Sequence, residues 1–153
     1  MKHTTNRIST LLLISLLILG NAIWAQPRKR EMRAVWVATV ANIDWPSQRN
    51  LSSKSQRIEM RKILDDCTKN NINAIVLQIR PTADAFYPSQ LEPWSHWLTG
   101  KQGNRPADYY DPLQFVIEEA HKRCIEVHVW LNPYRVTNSD HLDILSKNHL
   151  YYK

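Results

Sequence analysis

Three stretches place side chains capable of specific chemistry where apolar runs end. VHVWLNPYRV, Val127 to Val136, runs into Asn132, Pro133, Tyr134 and Arg135. LQIRPTAD carries Gln78 and Arg80 and ends in Asp84. RAVWVATVANIDW ends in Asn42, Asp44 and Trp45. Amides, carboxylates and guanidinium groups are fixed hydrogen-bonding partners, and the rings of Trp45, Trp94 and Tyr134 are flat apolar surfaces with a polar edge. His128 adds an imidazole, which can donate or accept a hydrogen bond. Such a mixture suits a sugar, whose apolar faces stack on rings while its hydroxyls take the polar groups. The candidate substrate-binding set is Asn42, Asp44, Trp45, Arg80, Asp84, Trp94, His128, Asn132, Tyr134 and Arg135.

Each of these residues also has a structural reading. Trp94 and Trp97 would close a long loop by hydrophobic contact, and Trp36 and Trp130 would fill an interior. His128 would be an interior histidine with a hydrogen-bond partner, and Arg80 with Asp84 an internal ion pair. Catalytic residues are not assigned. Cleavage of a glycosidic bond needs two carboxylates about 5 to 9.5 Å apart, and nothing in the placement of Asp44 and Asp84 brings them together. Metal hydrolysis has no support. There is no HExxH, and the residue two beyond His128 is Trp130 rather than a second histidine. GxSxG and CxxC are absent, and with three glycines and no GxGxxG a dinucleotide site is not expected. No cofactor or metal is therefore expected.

The elements that must position these groups alternate as strand, helix, strand, helix, strand. Arg33 to Val40 is a short β-branched run. Ser53 with Gln56 predicts a capping box, and Met60, Ile63, Leu64 and Cys67 recur on one helical face. Asn70 and Asn71 end that helix, and Ala74 to Ile79 forms the second strand. Asp111, Pro112 and Gln114 predict a second capped helix start, with Leu113, Val116, Ile117 and Ala120 as its buried stripe. Glu126 to Leu131 is the third strand. ILDDCTKNNINAIVLQIRP and VIEEAHKRCIEVHVWLNP read alike, without a gap, as helix end, turn, strand, polar residue and proline. Odd positions of strands two and three are aliphatic, while even positions turn polar toward the C-terminal end. That layout predicts an α/β fold of parallel strands, namely the N-terminal three βα units of a (β/α)8 TIM barrel with its site at the strands' C-terminal ends. The connection Pro81 to Asp111 is far longer than usual, which in a compact domain points to function.

The N-terminus reads as an export signal. Lys2 and Arg7 precede the apolar run Leu11 to Leu19, too short to span a bilayer, and Ala25 is a cleavage position. Residues 1–25 are thus a signal peptide, 26–30 a basic linker and 31–153 the barrel part, with a periplasmic or extracellular location. The net charge of +6 draws partly on Lys2, Arg7 and the QPRKRE run. No basic stripe with interleaved aromatics argues for nucleic acid. No further segment is apolar for long enough to cross a membrane. Cys67 and Cys124 are read as packed thiols.

RAVWVATVANIDWP, LQIRPTADAFYPSQLEPWSHWLTGKQG, YYDPLQFVIEEAHKR and EVHVWLNPYRV, in this order, resemble the glycosyl hydrolase-like 10 family of exported bacterial barrel proteins. The resemblance covers Glu31 to about Asn138. It implies a (β/α)8 barrel and glycosidase activity on a bacterial polysaccharide, first of all peptidoglycan glycan strands. It also implies substrate-site roles for Asn42, Asp44, Arg80, Asp84, Asn132 and Arg135. Two departures stand out. Cys124 occupies a helix-ending position where the family pattern has Gly. A barrel needs about 250 residues, so the chain to Lys153 is read as the N-terminal part, with the catalytic carboxylates expected on later strands.

Overall fold

The computed structural model describes residues 31–137 and 142–153. The expected signal peptide and the basic linker lie outside the described residues. Three strands form one parallel sheet in the order β1 (Ala34–Val37), β2 (Ala74–Arg80), β3 (Glu126–Leu131). Helix α1 (Ser53–Lys69) follows β1. A single short turn of helix, α2 (His96–Thr99), and then α3 (Pro112–His121) lie between β2 and β3. Ala34 pairs with Ala74 and Val37 with Leu77, while Ala74 pairs with Glu126 and Gln78 with Trp130, before the register shifts between Gln78 and Arg80.

Parity explains the core. Ile75, Leu77 and Ile79 on central strand β2 are buried against Met60, Leu64 and Cys67 of α1 and Val116 and Ala120 of α3. The expectation for β3 holds only in part. Val127 packs on the core, but Val129 and Leu131 are each 47% exposed, because β3 pairs on one side only and no described helix covers its end. The opposite face is open at Trp36, which is 63% exposed and meets the edge of Trp130 at 5.1 Å between ring centroids.

The first strand is shorter than expected. Beyond Val37 the chain finds side-chain acceptors instead of a ladder: Ala38 N–H donates to the Asp44 carboxylate, and Thr39 and Val40 N–H donate to Gln78 Oε1. The start of α1 is also corrected. Ser52, not Ser53, is the N-cap, accepting from Ser55 N–H. Gln56 is fully buried and does not reach back to a cap; its amide donates to Leu51 O and Leu98 O and its oxygen accepts from Tyr110. Asp111 does cap α3 through Gln114 N–H with Pro112 behind it, although the Gln114 side chain turns to Glu118.

Both long helices end alike. Ile72 N–H reaches Cys67 O and Asn71 N–H reaches Thr68 O; Ile125 N–H reaches Ala120 O and Cys124 N–H reaches His121 O. These are the paired bonds of a Schellman ending, which puts the penultimate residue in the left-handed region. Asn71 and Cys124 both have φ 56. From that residue to the following proline the second unit is one residue shorter, so the internal repeat needs a gap. Cys124 is exposed rather than packed, Cys67 is buried, and both are free thiols.

Charge joins the helices on their outer side. Glu119 of α3 accepts from Arg61 of α1 at 3.1 Å, from Lys122 at 2.8 Å and from Arg123 at 3.0 Å, and Arg123 also reaches Asp65 at 2.7 Å. The hydrogen bond from Lys122, aided by Arg123 and Arg61 and opposed by burial, lowers the Glu119 carboxyl from 4.5 to about 2.

Two stability predictions follow from these geometries. Cys124→Gly relieves a left-handed β-carbon and should raise the urea-unfolding free energy by about 1 kcal/mol; an unchanged or lower midpoint would mean that the turn carries no strain. Glu119→Gln should cost about 2 kcal/mol at neutral pH. Because the folded pKa is depressed, that contribution is whole above the unfolded value and disappears as pH falls toward 2. The gap between wild-type and variant midpoints should therefore close on acidification, and a gap independent of pH counts against the charge network as its source.

Candidate functional site

The C-terminal ends of β1, β2 and β3 gather most of the expected site residues at one edge of the sheet. There β2 and β3 are tied together by side chains. Arg80 Nε donates to both carboxylate oxygens of Glu92 at 2.7 and 2.9 Å, and its Nη1 donates to Asn132 O. Asn132 N–H returns to Arg80 O, and its amide spans Pro81 O at 3.1 Å and Trp130 Nε1 at 2.7 Å. The expected Arg80–Asp84 ion pair is thus replaced by Arg80–Glu92, both side chains 14% exposed. Glu92 was missed in the sequence because it sits within the long loop, without periodicity or a strand end to mark it.

Asp84 is fully buried. One oxygen accepts from Thr82 N–H and Oγ1, and the other faces Gln102 Nε2 at 3.3 Å and His96 Nδ1 at 3.6 Å. Gln102 Oε1 in turn accepts Ser146 N–H, and His149 Nε2 lies 3.1 Å from Thr82 O. Asp84 therefore anchors the long loop to the segment that follows β3. Gln102 and His149, both buried, were also not foreseen, since an isolated polar residue in an irregular stretch gives no pattern.

The first loop is similarly committed. Asn42, at φ 53, donates to Pro46 O and Trp97 O, linking this loop to α2. Asp44 is exposed and holds Ala38 N–H at 2.7 Å. Trp45 corrects the expectation of a stacking ring: it is completely buried, packs on Phe86 and donates its indole N–H to Gln56 O. No face of it is open to a ligand. Trp94 is half-buried beside the core and bridges to Ala85, and Trp97 is buried with Arg49 over its ring at 4.1 Å. Gln78 Nε2 and Trp97 Nε1 are buried without a hydrogen-bond partner.

Three expected residues remain open. Tyr134 is 95% exposed, Arg135 is exposed, and His128 is exposed with Glu126 at 3.6 Å. Asp44 and Asp84 have structural partners, so a catalytic carboxylate pair is not formed from them. Among the described residues no group of three or more His, Cys, Asp or Glu side chains is placed to hold a metal ion, and no helix is long and apolar enough to cross a membrane.

Comparison with known proteins places this arrangement. The profile of the glycosyl hydrolase-like 10 family matches residues 31–152. The chain belongs to that family. It is 58% identical over 121 residues to glycosyl hydrolase YngK of Bacillus subtilis (strain 168), covering 78% of this chain and 23% of that protein. It is 42% identical over 119 residues to glycosyl hydrolase DigH of Escherichia coli (strain K12), covering 73% of this chain and 27% of that protein. DigH of Shigella flexneri matches to the same extent. The family member described here thus spans about a quarter of the length of these relatives.

The Arg80–Glu92 pair makes a separable prediction. Arg80→Met leaves a nearly buried carboxylate unpaired and should cost about 3 kcal/mol. Adding Glu92→Met removes the stranded charge and should recover more than half of the loss in chemical denaturation. A double variant as unstable as the single one would exclude the ion pair as the cause.

Proposed function

We propose that this chain is part of an exported glycoside hydrolase that acts on a bacterial polysaccharide, with peptidoglycan glycan strands as the substrate. The observation that carries the reading is the match of the whole described region to a glycosyl hydrolase-like family, with relatives named as glycosyl hydrolases. The parallel sheet with helices on one face, and polar loops gathered at the strands' C-terminal ends, supports the first three units of a (β/α)8 barrel. In that barrel Trp36, Trp130 and His128 face the interior, and Tyr134 and Arg135 stand free at the rim to meet substrate. The acid and nucleophile come from parts of the fold that the relatives contain and this chain does not span. The charged, apolar and small-residue order of the first 25 positions supports export with cleavage after Ala25.

The test is direct. The protein spanning the full length of the relatives, purified from the exported fraction, should begin at Gln26 and release new reducing ends from isolated cell-wall sacculi. Arg135→Ala should lower kcat/KM about tenfold, as loss of one charged substrate contact does. Intact sacculi after prolonged incubation with a correctly folded, processed protein would sink the hydrolase reading.

A further inference from the structure

A cleft of about 310 Å³ opens between the loop Ser89–Trp94 and the segment Ser146–Lys153. Trp94, Leu91 and Pro93 line it together with polar residues from both segments. Several of its groups are already spent. Glu92 holds Arg80, Ser146 Oγ accepts Asn148 N–H, and Lys153 donates to Leu91 O. Others are not. The side-chain amides of Gln90 and Asn148 have no hydrogen-bond partner among the described residues, and both residues are exposed. Ser89 Oγ accepts from Leu91 and Glu92 N–H, which leaves its proton free to donate.

The two walls are held at a fixed separation. Gly103 N–H donates to Trp94 O at 2.8 Å. Gly103 has φ 88, and a β-carbon there would meet Ser146 Oγ at 2.9 Å. Gln102 Oε1 bonds Ser146 N–H at 2.8 Å, while its Nε2 is anchored on buried Asp84. The cleft is therefore built by the same buried polar network that orders the long loop.

From this geometry we propose that the cleft is a glycan-binding subsite that seats a single pyranose ring. Its ring face would lie on Trp94, with its hydroxyls on Gln90, Asn148 and Ser89. The volume lies at the lower end of small-ligand sites, which suits one ring and excludes a stacked pair. Unpaired amides in the same cleft as an indole match a ring with one apolar face and a hydroxyl-bearing edge. The naming of a sugar as the ligand rests on the hydrolase reading, whereas the cleft and its free groups do not.

The experiment titrates the protein spanning the full length of the relatives with an N-acetylglucosamine tetramer and a glucose tetramer, by calorimetry. Wild type, Trp94→Phe and the double variant Gln90→Ala/Asn148→Ala are compared, and sacculus hydrolysis is measured in parallel. The amide variant touches only exposed side chains, so its folding is expected to be intact. Binding of either tetramer, weakened about fivefold by Trp94→Phe and tenfold or more by the amide pair, supports the subsite. Equal affinity in all three proteins, or no binding of either tetramer, overturns it. Hydrolysis by wild type alongside equal affinities removes the subsite and leaves the hydrolase. Weakened binding without hydrolysis by any of the three keeps the subsite and removes the hydrolase.

Discussion

The long excursion between β2 and α3 can lie against the sheet end only if its backbone polar groups find partners, because a buried carbonyl or amide left unpaired costs about 1–3 kcal/mol. A single isolated bridge, Ala85 to Trp94, and a few backbone bonds supply some of them. Side chains supply others. Gln56 serves Leu51 and Leu98, Asn42 serves Pro46 and Trp97, Asp84 serves Thr82, and Asn132 serves Pro81. Remove that constraint and nothing fixes the distance from β2 to the segment after β3. Burial of the Tyr110 phenol, whose proton goes to Gln56, raises its pKa strongly, as expected for a donor sealed into this network rather than one available for chemistry.

The same constraint shapes the strands. Central strand β2 has helices on its odd face and loops at its C-terminal end. Its Gln78 is completely buried, and one amide oxygen serves two successive backbone N–H groups of the β1 loop. That bond is why β1 stops after four residues: the chain leaves the sheet where a side-chain acceptor outcompetes the next ladder position. Toward β1 and β3 the same even face is more open. Trp36 and Trp130 meet there edge to face, a favourable but small interaction, and most of the Trp36 ring stays in contact with solvent.

Much of the fold was legible in the sequence because it is periodic. The stripe Met60, Leu64, Cys67, the odd residues of β2, and the Asp111–Pro112 helix start all follow from spacing. The errors arose where one residue type serves two purposes. Gln56 fits a capping box by spacing, yet it is a buried hub. Trp45 sits beside an amide and a carboxylate, as a sugar platform would, yet it is core. Arg80 was matched to the nearer carboxylate in sequence, Asp84, whereas loop folding brings Glu92 to it and turns Asp84 toward Gln102 and His96. Sequence distance says little about pairing in a loop without a repeat. Cys124 was the exception, since the family resemblance puts Gly at that helix-ending position, and its φ is 56.

Whether a rim group is committed or free therefore separates architecture from recognition better than residue type does. Asn132 and Tyr134 stand two residues apart on the same exit from β3. Asn132 uses its amide oxygen, its amide nitrogen and both backbone groups within the chain. Tyr134 is almost wholly in solvent. A ligand competing for Asn132 would have to break bonds that hold β3 to β2, and its binding energy would be spent on loosening the sheet. A ligand at Tyr134 or Arg135 displaces only water. The tied residues make the rim rigid, and rigidity lets the few free ones hold a polyhydroxylated ligand without a large ordering cost.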